Sequence, residues 1–392
     1  MNDIILNTGV QDFISKNIFS DIMSVLLKKP VFEGVSQKEL VEQIEAKKKS
    51  RDKLPTWFAS ANIYYPNKLN IEQTSSESTA EYKAQIVSGK SLVDLTGGFG
   101  VDSYFFSKKI ASVFHCEINS ELSEISAHNF KILGQNNIKC LPKDGITFLE
   151  ESTQNFDWIY VDPSRRSDKK GKVFLLEDCL PNLPEHLPLI FEKTQNILVK
   201  TSPLLDIKKG IEELEFVKEV HVVAINNEVK ELLFVLEKGY DRSIGIKTIN
   251  LLPNRTDTFN FKLEEEQDTT IEFGEPSAYL YEPNAAILKS GGFKSVAKAY
   301  NLKKLHPHSH LYTADTLVDF PGRRFTIEKT LPYSKKSLKS LTVPKANITT
   351  RNFPLSVVEL RKKHNIKDGG GRYLFFTTDI NNNLIFLMCK KA

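Results

Sequence analysis

Residues 91–101, SLVDLTGGFGV, decide how the rest of the chain is read. A short apolar run ends at Asp94, and Gly97, Gly98 and Gly100 follow closely. From Asp102 the sequence DSYFFSKK has the character of a helix. Strand, glycine turn and helix together open a nucleotide-binding βαβ unit. Gly98 and Gly100 let backbone approach a ligand where a Cβ would collide. Glycine-rich turns also serve plain strand-to-helix packing, so the neighbouring sequence must separate the two.

Strand–helix alternation continues over residues 90–240, as in an open parallel sheet. ASVFHCEIN predicts a second strand ending at Glu117. NIKCLPKD predicts a third, ending at Asp144 before the helix-like GITFLEES. FDWIYVDPSRR predicts a fourth ending at Asp162, and NILVKTSP a fifth ending at Lys200. VKEVHVVAINNEVKELLFVLEK supplies two apolar runs about a polar turn, a hairpin at one side of the sheet. Ligands of such sheets sit beyond the carboxyl ends of the strands. Asp94, Glu117, Asp144 and Asp162 all fall there, and four acidic strand ends in succession are hard to explain as solubility.

This pattern resembles the class I S-adenosylmethionine (SAM)-dependent methyltransferases, with residues 91–238 as the shared core. The resemblance implies an α/β, Rossmann-like core with SAM as cofactor. It implies that Asp94, Thr96, Gly97, Gly98, Phe99 and Gly100 wrap the methionine part. Glu117 would accept hydrogen bonds from the two ribose hydroxyls, a task that suits a carboxylate with its two acceptor oxygens. Asp144 would receive the adenine amino group. Asp162, Pro163, Ser164 and Arg165 take the place of the family's fourth motif, on the catalytic, substrate side. The rival is a nicotinamide or flavin dinucleotide enzyme, whose fingerprint is G-x-G-x-x-G. Here Ser103 stands where the last glycine belongs, and the third and fourth acidic strand ends favour the methyltransferase.

Methyltransferases acting on the amino groups of bases usually show Asp or Asn, then Pro-Pro, then an aromatic residue. This chain keeps Asp162 and Pro163 but has Ser164 for the second proline and Arg165 for the aromatic. The expected nucleophile is an exocyclic amine, held by the acid with its lone pair toward the sulfonium methyl. Arg165 either stacks on a base or holds phosphate, or lies with Arg166 in a solvated loop. The chemistry needs in-line orientation and removal of one proton, and no metal. Lys200, in KTSP, faces the same crevice and either binds a substrate phosphate or pairs with Asp162.

The chain has 392 residues, 40% hydrophobic and 26% charged, which fits soluble globular material of several domains. No apolar run approaches the ~20 residues that cross a bilayer. MNDIILNTGVQDF lacks the features of a secretory signal. The four cysteines form no CxxC pair. These features predict a cytoplasmic protein without a disulfide framework. Net charge is +4, but residues 281–392 hold 20 basic and 7 acidic residues, against 33 and 42 in residues 1–280. A basic last third suggests a polyanion such as nucleic acid. The alternative is docking of the basic part on the acidic part of the same molecule.

Residues 1–85 read as a helical domain. Ser36 with Glu39 looks like a capping box, and Lys47, Lys48, Lys49 and Arg51 form either a phosphate contact or a solvated helix face. The methyltransferase domain takes residues 86–275, its core over 91–240 followed by a β extension and the acidic EEEQD. Residues 276–320 predict a small α+β, ferredoxin-like module. In it His306, His308 and His310 alternate along an expected strand, without the acid or cysteine a zinc site wants. Residues 321–392 predict the order β-α-β-α-β-β, with a glycine turn at Gly369, Gly370 and Gly371. That order resembles the THUMP-like module found beside RNA methyltransferases. YEPNAAILKSGGF, SHLYTAD, FPGRRF and KANITTRNFP carry a wider resemblance to a bacterial group that joins a helical cap, SAM core, ferredoxin-like insert and THUMP-like tail.

The resemblance implies a cytoplasmic SAM-dependent methyltransferase acting on structured RNA, tRNA or rRNA. Lys335, Lys336, Lys345, Arg351, Arg361, Lys362 and Lys363 would grip the RNA backbone. Two alternatives stay open. One is a non-catalytic RNA-binding or assembly factor with an altered fourth motif. The other is a methyltransferase acting on a protein or small molecule.

Overall fold

The computed structural model describes residues 1–27, 29–165, 175–339 and 343–392. The chain divides into two compact units, Met1–Lys218 with Leu233–Asp241, and Glu219–Leu232 with Arg242–Ala392.

In the first unit β1 (Ser91–Asp94), β2 (Ser112–Cys116), β3 (Ile138–Leu141) and β4 (Trp158–Val161) join Asn196–Thr201 in a parallel arrangement. The spatial order is Asn196–Thr201, β4, β1, β2, β3. The strands are short apolar runs because both of their faces are covered. Leu92, Val93, Ile159, Val161, Leu198 and Val199 have no exposed surface. The five expected strands are all present. β1 lies between β2 and β4, so the order reverses there, and the crevice at its carboxyl end is where such sheets take ligands.

The helices before β1 belong to this same unit. Gln37–Lys53 opens on the expected capping box between Ser36 and Glu39. Its basic run is not wholly a solvated face. Lys47 is buried and donates to Ser15 Oγ at 3.0 Å, while Lys49 pairs with Glu72 at 3.1 Å. Trp57 packs edge-on against Tyr104, 4.8 Å between centroids. The Asn129 side chain accepts from Tyr64 N at 3.0 Å and donates to Tyr64 O at 2.8 Å, clasping the segment before β1 to the helix Ser120–Ile132.

Val217–Ile225 and Glu228–Glu237 form the expected hairpin. It turns at Asn226 and Asn227, whose φ values of 50° and 66° suit a tight primed turn. In the second unit Gly245–Leu252 and Arg255–Lys262 pair antiparallel, and the acidic EEEQD forms the helix Leu263–Asp268. Seven strands follow in one sheet, ordered Lys303–Lys304, Tyr312–Ala314, Tyr279–Pro283, Gly322–Pro332, Leu384–Lys391, Lys367–Thr378, Lys345–Thr350. Alternation along Lys367–Thr378 sends Phe375 into one apolar cluster with Leu280, Leu311 and Phe325. Leu374 and Phe376 enter another with Ala346, Leu360 and Phe386.

Two expectations for this unit are corrected. Gly369, Gly370 and Gly371 do not end a strand. They form a bulge within Lys367–Thr378, where the pairing jumps from Ala346–Asp368 to Asn347–Tyr373. Asn347 Nδ2 bridges the bulge through the carbonyls of Gly370 at 2.8 Å and Arg372 at 3.2 Å. The three histidines do not alternate along a strand, because the strand starts later, at Tyr312. His306 is buried against Asn382 and Asn352, and His310 stacks on Phe293. Among the described residues no group of three His, Cys, Asp or Glu side chains is placed to hold a metal ion. No described helix is long and apolar enough to cross a membrane.

Candidate cofactor and active site

The glycine turn is built against β2. Gly97 N donates to Cys116 O at 2.8 Å, and a Cβ on Gly97 would stand 2.4 Å from His115 Nε2. Gly100 has φ +83°, and its Cβ would meet Phe130 Cζ at 2.3 Å. These two glycines are therefore required by packing. Gly98 differs. Its φ is +56°, and its Cβ would find only Thr96 O, at 3.9 Å. That side of the loop is open to a ligand. His115 is fully buried, and burial lowers its pKa to about 4, so the ring is neutral at ordinary pH.

Glu117 directly follows β2. Its Oε2 accepts from Gly98 N at 2.8 Å and its Oε1 from Asn119 N at 2.8 Å. Each oxygen keeps a second lone pair for a diol. Ile118, the next residue, is 74% exposed, an apolar surface beside the carboxylate that sequence reading did not single out. Asp144 caps the helix Gly145–Glu151, its Oδ1 accepting from Ile146 N and Thr147 N, both at 3.0 Å. Gly145 keeps Asp144 beside the first loop, since a Cβ there would stand 2.4 Å from Leu95 O.

Asp94 is buried at the end of β1. Its Oδ1 accepts from Thr96 N at 3.0 Å and its Oδ2 from Ser103 Oγ at 2.6 Å. Ser103, the residue that breaks the dinucleotide fingerprint, thus has its own task. Burial pushes Asp94 up to about 7, the charges of Asp102 and Asp162 adding to it against the two hydrogen bonds. Asp102 is held differently. Burial would raise it, but Lys83, Lys200 and the hydroxyls of Tyr160 and Ser75 hold its pKa below the ordinary value. Lys83 Nζ stands 3.1 Å from Asp102 Oδ1, and Tyr160 Oη and Ser75 Oγ each donate to Oδ2 at 2.8 Å. Sequence reading missed this buried set. Its only trace was a lysine within the small-residue helix Glu77–Ala84.

Asp162 sits beside the glycine loop. Its backbone N donates to Thr96 Oγ1 at 2.7 Å, and its Oδ2 forms an ion pair with Lys200 Nζ. Of the two readings for Lys200, the structure has the pairing with Asp162. Ser164 and Arg165 pair with Leu180 and Cys179 in a two-stranded ladder. The backbone of Arg165 is described but not its side chain, and Arg166 lies outside the described residues. Pro163 is buried. Phe99 is also buried, 6.2 Å from Trp57 between ring centroids.

In the second unit Lys335, Lys336, Lys345, Lys362 and Lys363 are exposed. Arg351 and Arg361 are committed to protein partners. Arg351 donates to the buried Glu282 at 2.8 Å, beside Arg323 on the same carboxylate. Arg361 pairs with Asp368 and donates to the carbonyls of Ala346 at 3.2 Å and Ile366 at 3.4 Å. Lys335, Leu338, Val343, Pro344, Lys363 and His364 line a cavity of about 410 Å³.

A ferredoxin-like domain family matches residues 279–321, and a THUMP domain-like family matches residues 322–391. The chain is similar to a protein from Porphyromonas gingivalis W83 assigned as a methyltransferase. Identity is 34%, covering 100% of this chain and 98% of that one at a TM-score of 0.91. A protein from Pyrococcus horikoshii assigned as an RNA methyltransferase is 17% identical over 48% of this chain and 98% of its own, with a TM-score of 0.34. TrmK of M. capricolum, solved with its natural cofactor product S-adenosyl-homocysteine, is 12% identical over 41% and 68%, with a TM-score of 0.33. No curated protein matches it in sequence. By its full-length likeness to the P. gingivalis protein, the chain belongs to that methyltransferase family, with a ferredoxin-like and a THUMP-like domain at its C-terminus.

Proposed function

We propose that this protein is a SAM-dependent methyltransferase that methylates a base of structured RNA, tRNA or rRNA. The observation that carries the reading is the bond from Asp162 N to Thr96 Oγ1, at 2.7 Å. It holds the acid of the fourth strand against the loop that receives the cofactor.

The residues present fit SAM. The open side of Gly98 leaves room for the methionine part along residues 94–100. The spare lone pairs of Glu117 suit the ribose diol, and exposed Ile118 offers an apolar face to the adenine. Asp144 keeps Oδ2 for the adenine amino group, its Oδ1 being used as a helix cap. When bound, SAM supplies a methyl group activated by a sulfonium. The chain's own part is to hold the nucleophilic nitrogen at Asp162 and take up one proton.

For RNA, support comes from the THUMP-like domain and its charge. Exposed Lys335, Lys336, Lys345, Lys362 and Lys363 act on phosphate as point charges. Arg351 and Arg361 leave this group because their guanidiniums are tied to Glu282 and Asp368. The test is transfer of a tritiated methyl from SAM to total RNA by the full chain. Labelled RNA that disappears with Asp162→Ala supports the reading. Absence of label in RNA, with SAM bound, overturns it.

A further inference from the structure

We propose that Asp162 and Lys200 direct methylation to a lactam-type ring nitrogen, N1 of guanine or N3 of uracil, and away from exocyclic amines. This rests on the RNA methyltransferase reading above. It departs from the amine that the Asp162-Pro163 motif leads one to expect.

The two side chains form an ion pair at the crevice, with the lysine 13% and the carboxylate 32% exposed. A substrate nitrogen placed at Asp162 therefore has an ammonium for a neighbour. Adenine and cytosine present an amine beside a ring acceptor, and guanine and uracil present a ring N–H beside a carbonyl. Either edge can lie against one acceptor and one donor, so hydrogen bonding alone does not choose between them. The charge that develops does choose.

An amine nitrogen attacking a sulfonium methyl becomes cationic. Lys200 beside it would oppose the transition state. A lactam nitrogen carries the reverse demand. Its lone pair is spread into the carbonyl, and it becomes nucleophilic as its proton leaves. Asp162 takes that N–H proton. The N–H electron pair spreads over the nitrogen and the carbonyl oxygen, and Lys200 donates to that oxygen as it becomes negative. The ring nitrogen bonds to the methyl carbon as the C–S bond breaks with its electron pair left on sulfur. Asp162 then releases its proton to water. The sum is N–H replaced by N–CH3 with one proton released.

Two further features agree. The aromatic residue that would stack on the base of an amine substrate is absent, with Arg165 in its place. Lys200 also acts on Asp102, a carboxylate that Lys83 helps to hold ionised, so a second anion stands near the ammonium.

The test is a census of methylated nucleosides in tRNA and rRNA from a strain of the source organism lacking the gene. The strain is complemented with wild type, Lys200→Met or Lys200→Arg. Loss of 1-methylguanosine identifies guanine, and loss of 3-methyluridine identifies uracil, and either supports the proposal. Loss of a methylated exocyclic amine, on adenine, cytosine or guanine N2, overturns the proposal and leaves the RNA reading standing. No change in any methylated nucleoside overturns the RNA reading itself. In purified protein acting on RNA from the deletion strain, Lys200→Met should slow transfer by about 100-fold or more. Lys200→Arg, which keeps a donor, should recover most of that rate. Calorimetry with S-adenosylhomocysteine should find both variants within about twofold of wild type. Transfer by Lys200→Met at the wild-type rate, or its loss together with S-adenosylhomocysteine binding, would remove the assigned role.

Discussion

Lys83 Nζ stands 3.1 Å from Asp102 Oδ1, linking a helix that precedes the sheet to the first turn of the helix behind the glycine loop. The lysine has no exposed surface, and Tyr160 and Ser75 complete the shell around the carboxylate. The helices before β1 are thus part of the frame under the glycine loop. Removing one partner of a buried pair leaves an uncompensated charge, at a cost of about 3–5 kcal/mol. Lys83→Met should lower the unfolding free energy in urea by that order. Lys83→Met with Asp102→Asn should recover part of it. Wild-type stability of the single variant would contradict this account.

Asp94 gives the protein without ligand a pH dependence. Its folded pKa, about 7, lies above the ordinary carboxylate value. The protonated form is therefore favoured in the fold. Its stabilisation is complete below about pH 4 and is lost as pH rises through 7. Against Asp94→Asn, wild type should lose stability between about pH 4 and pH 8, by up to about 4 kcal/mol at ~1.4 kcal/mol per pH unit below pH 7. Parallel stability curves for the two proteins would show that Asp94 is ionised throughout.

Substitutions at Gly97 and Gly98 should separate packing from ligand access. Gly97→Ala drives a Cβ into the buried His115 ring and should cost about 1–3 kcal/mol of stability. Gly98→Ala meets no protein atom closer than 3.9 Å and bears only the left-handed φ, about 1–2 kcal/mol. It should nonetheless weaken SAM binding tenfold or more, by order of magnitude, because its methyl enters the ligand's side of the loop. Thermal unfolding and calorimetry on the same samples check both outcomes.

The basic face of the THUMP-like domain should act through charge number. Reversing Lys335 and Lys363 to Glu should weaken RNA binding and flatten the plot of log affinity against log salt by about 0.7–0.9 per lost phosphate contact. Arg361→Ala should instead lower the domain's stability, because that side chain holds Asp368 and the carbonyls of Ala346 and Ile366. Filter binding across a salt series tells the two apart.

The parts of the fold legible in the sequence are those that local pattern dictates. Strands buried on both faces read as apolar runs, so β1 to β4 and the acids at or beyond their ends could be located. The capping box at Ser36 and the Asn226-Asn227 turn were equally local. What stayed hidden depends on contacts distant in the chain. Lys47 and Lys83 carry the same charge as exposed lysines, and only packing reveals that one reaches Ser15 and the other Asp102. Gly369, Gly370 and Gly371 resemble a turn, but the neighbouring strand Lys345–Thr350 continues past them and makes them a bulge. Ser103 looked like a missing glycine, and its partner Asp94 explains it.

The most direct measurement is a calorimetric titration of SAM into the full chain, repeated with Glu117→Ala and Asp162→Ala. The account predicts a Kd of order 1 μM for wild type. Glu117→Ala should bind at least tenfold more weakly through loss of the diol acceptor, about 1.4 kcal/mol or more. Asp162→Ala should bind SAM nearly as wild type does and fail to methylate RNA. Absence of binding heat with folded wild-type protein would contradict the cofactor site, and with it the proposed methyl transfer.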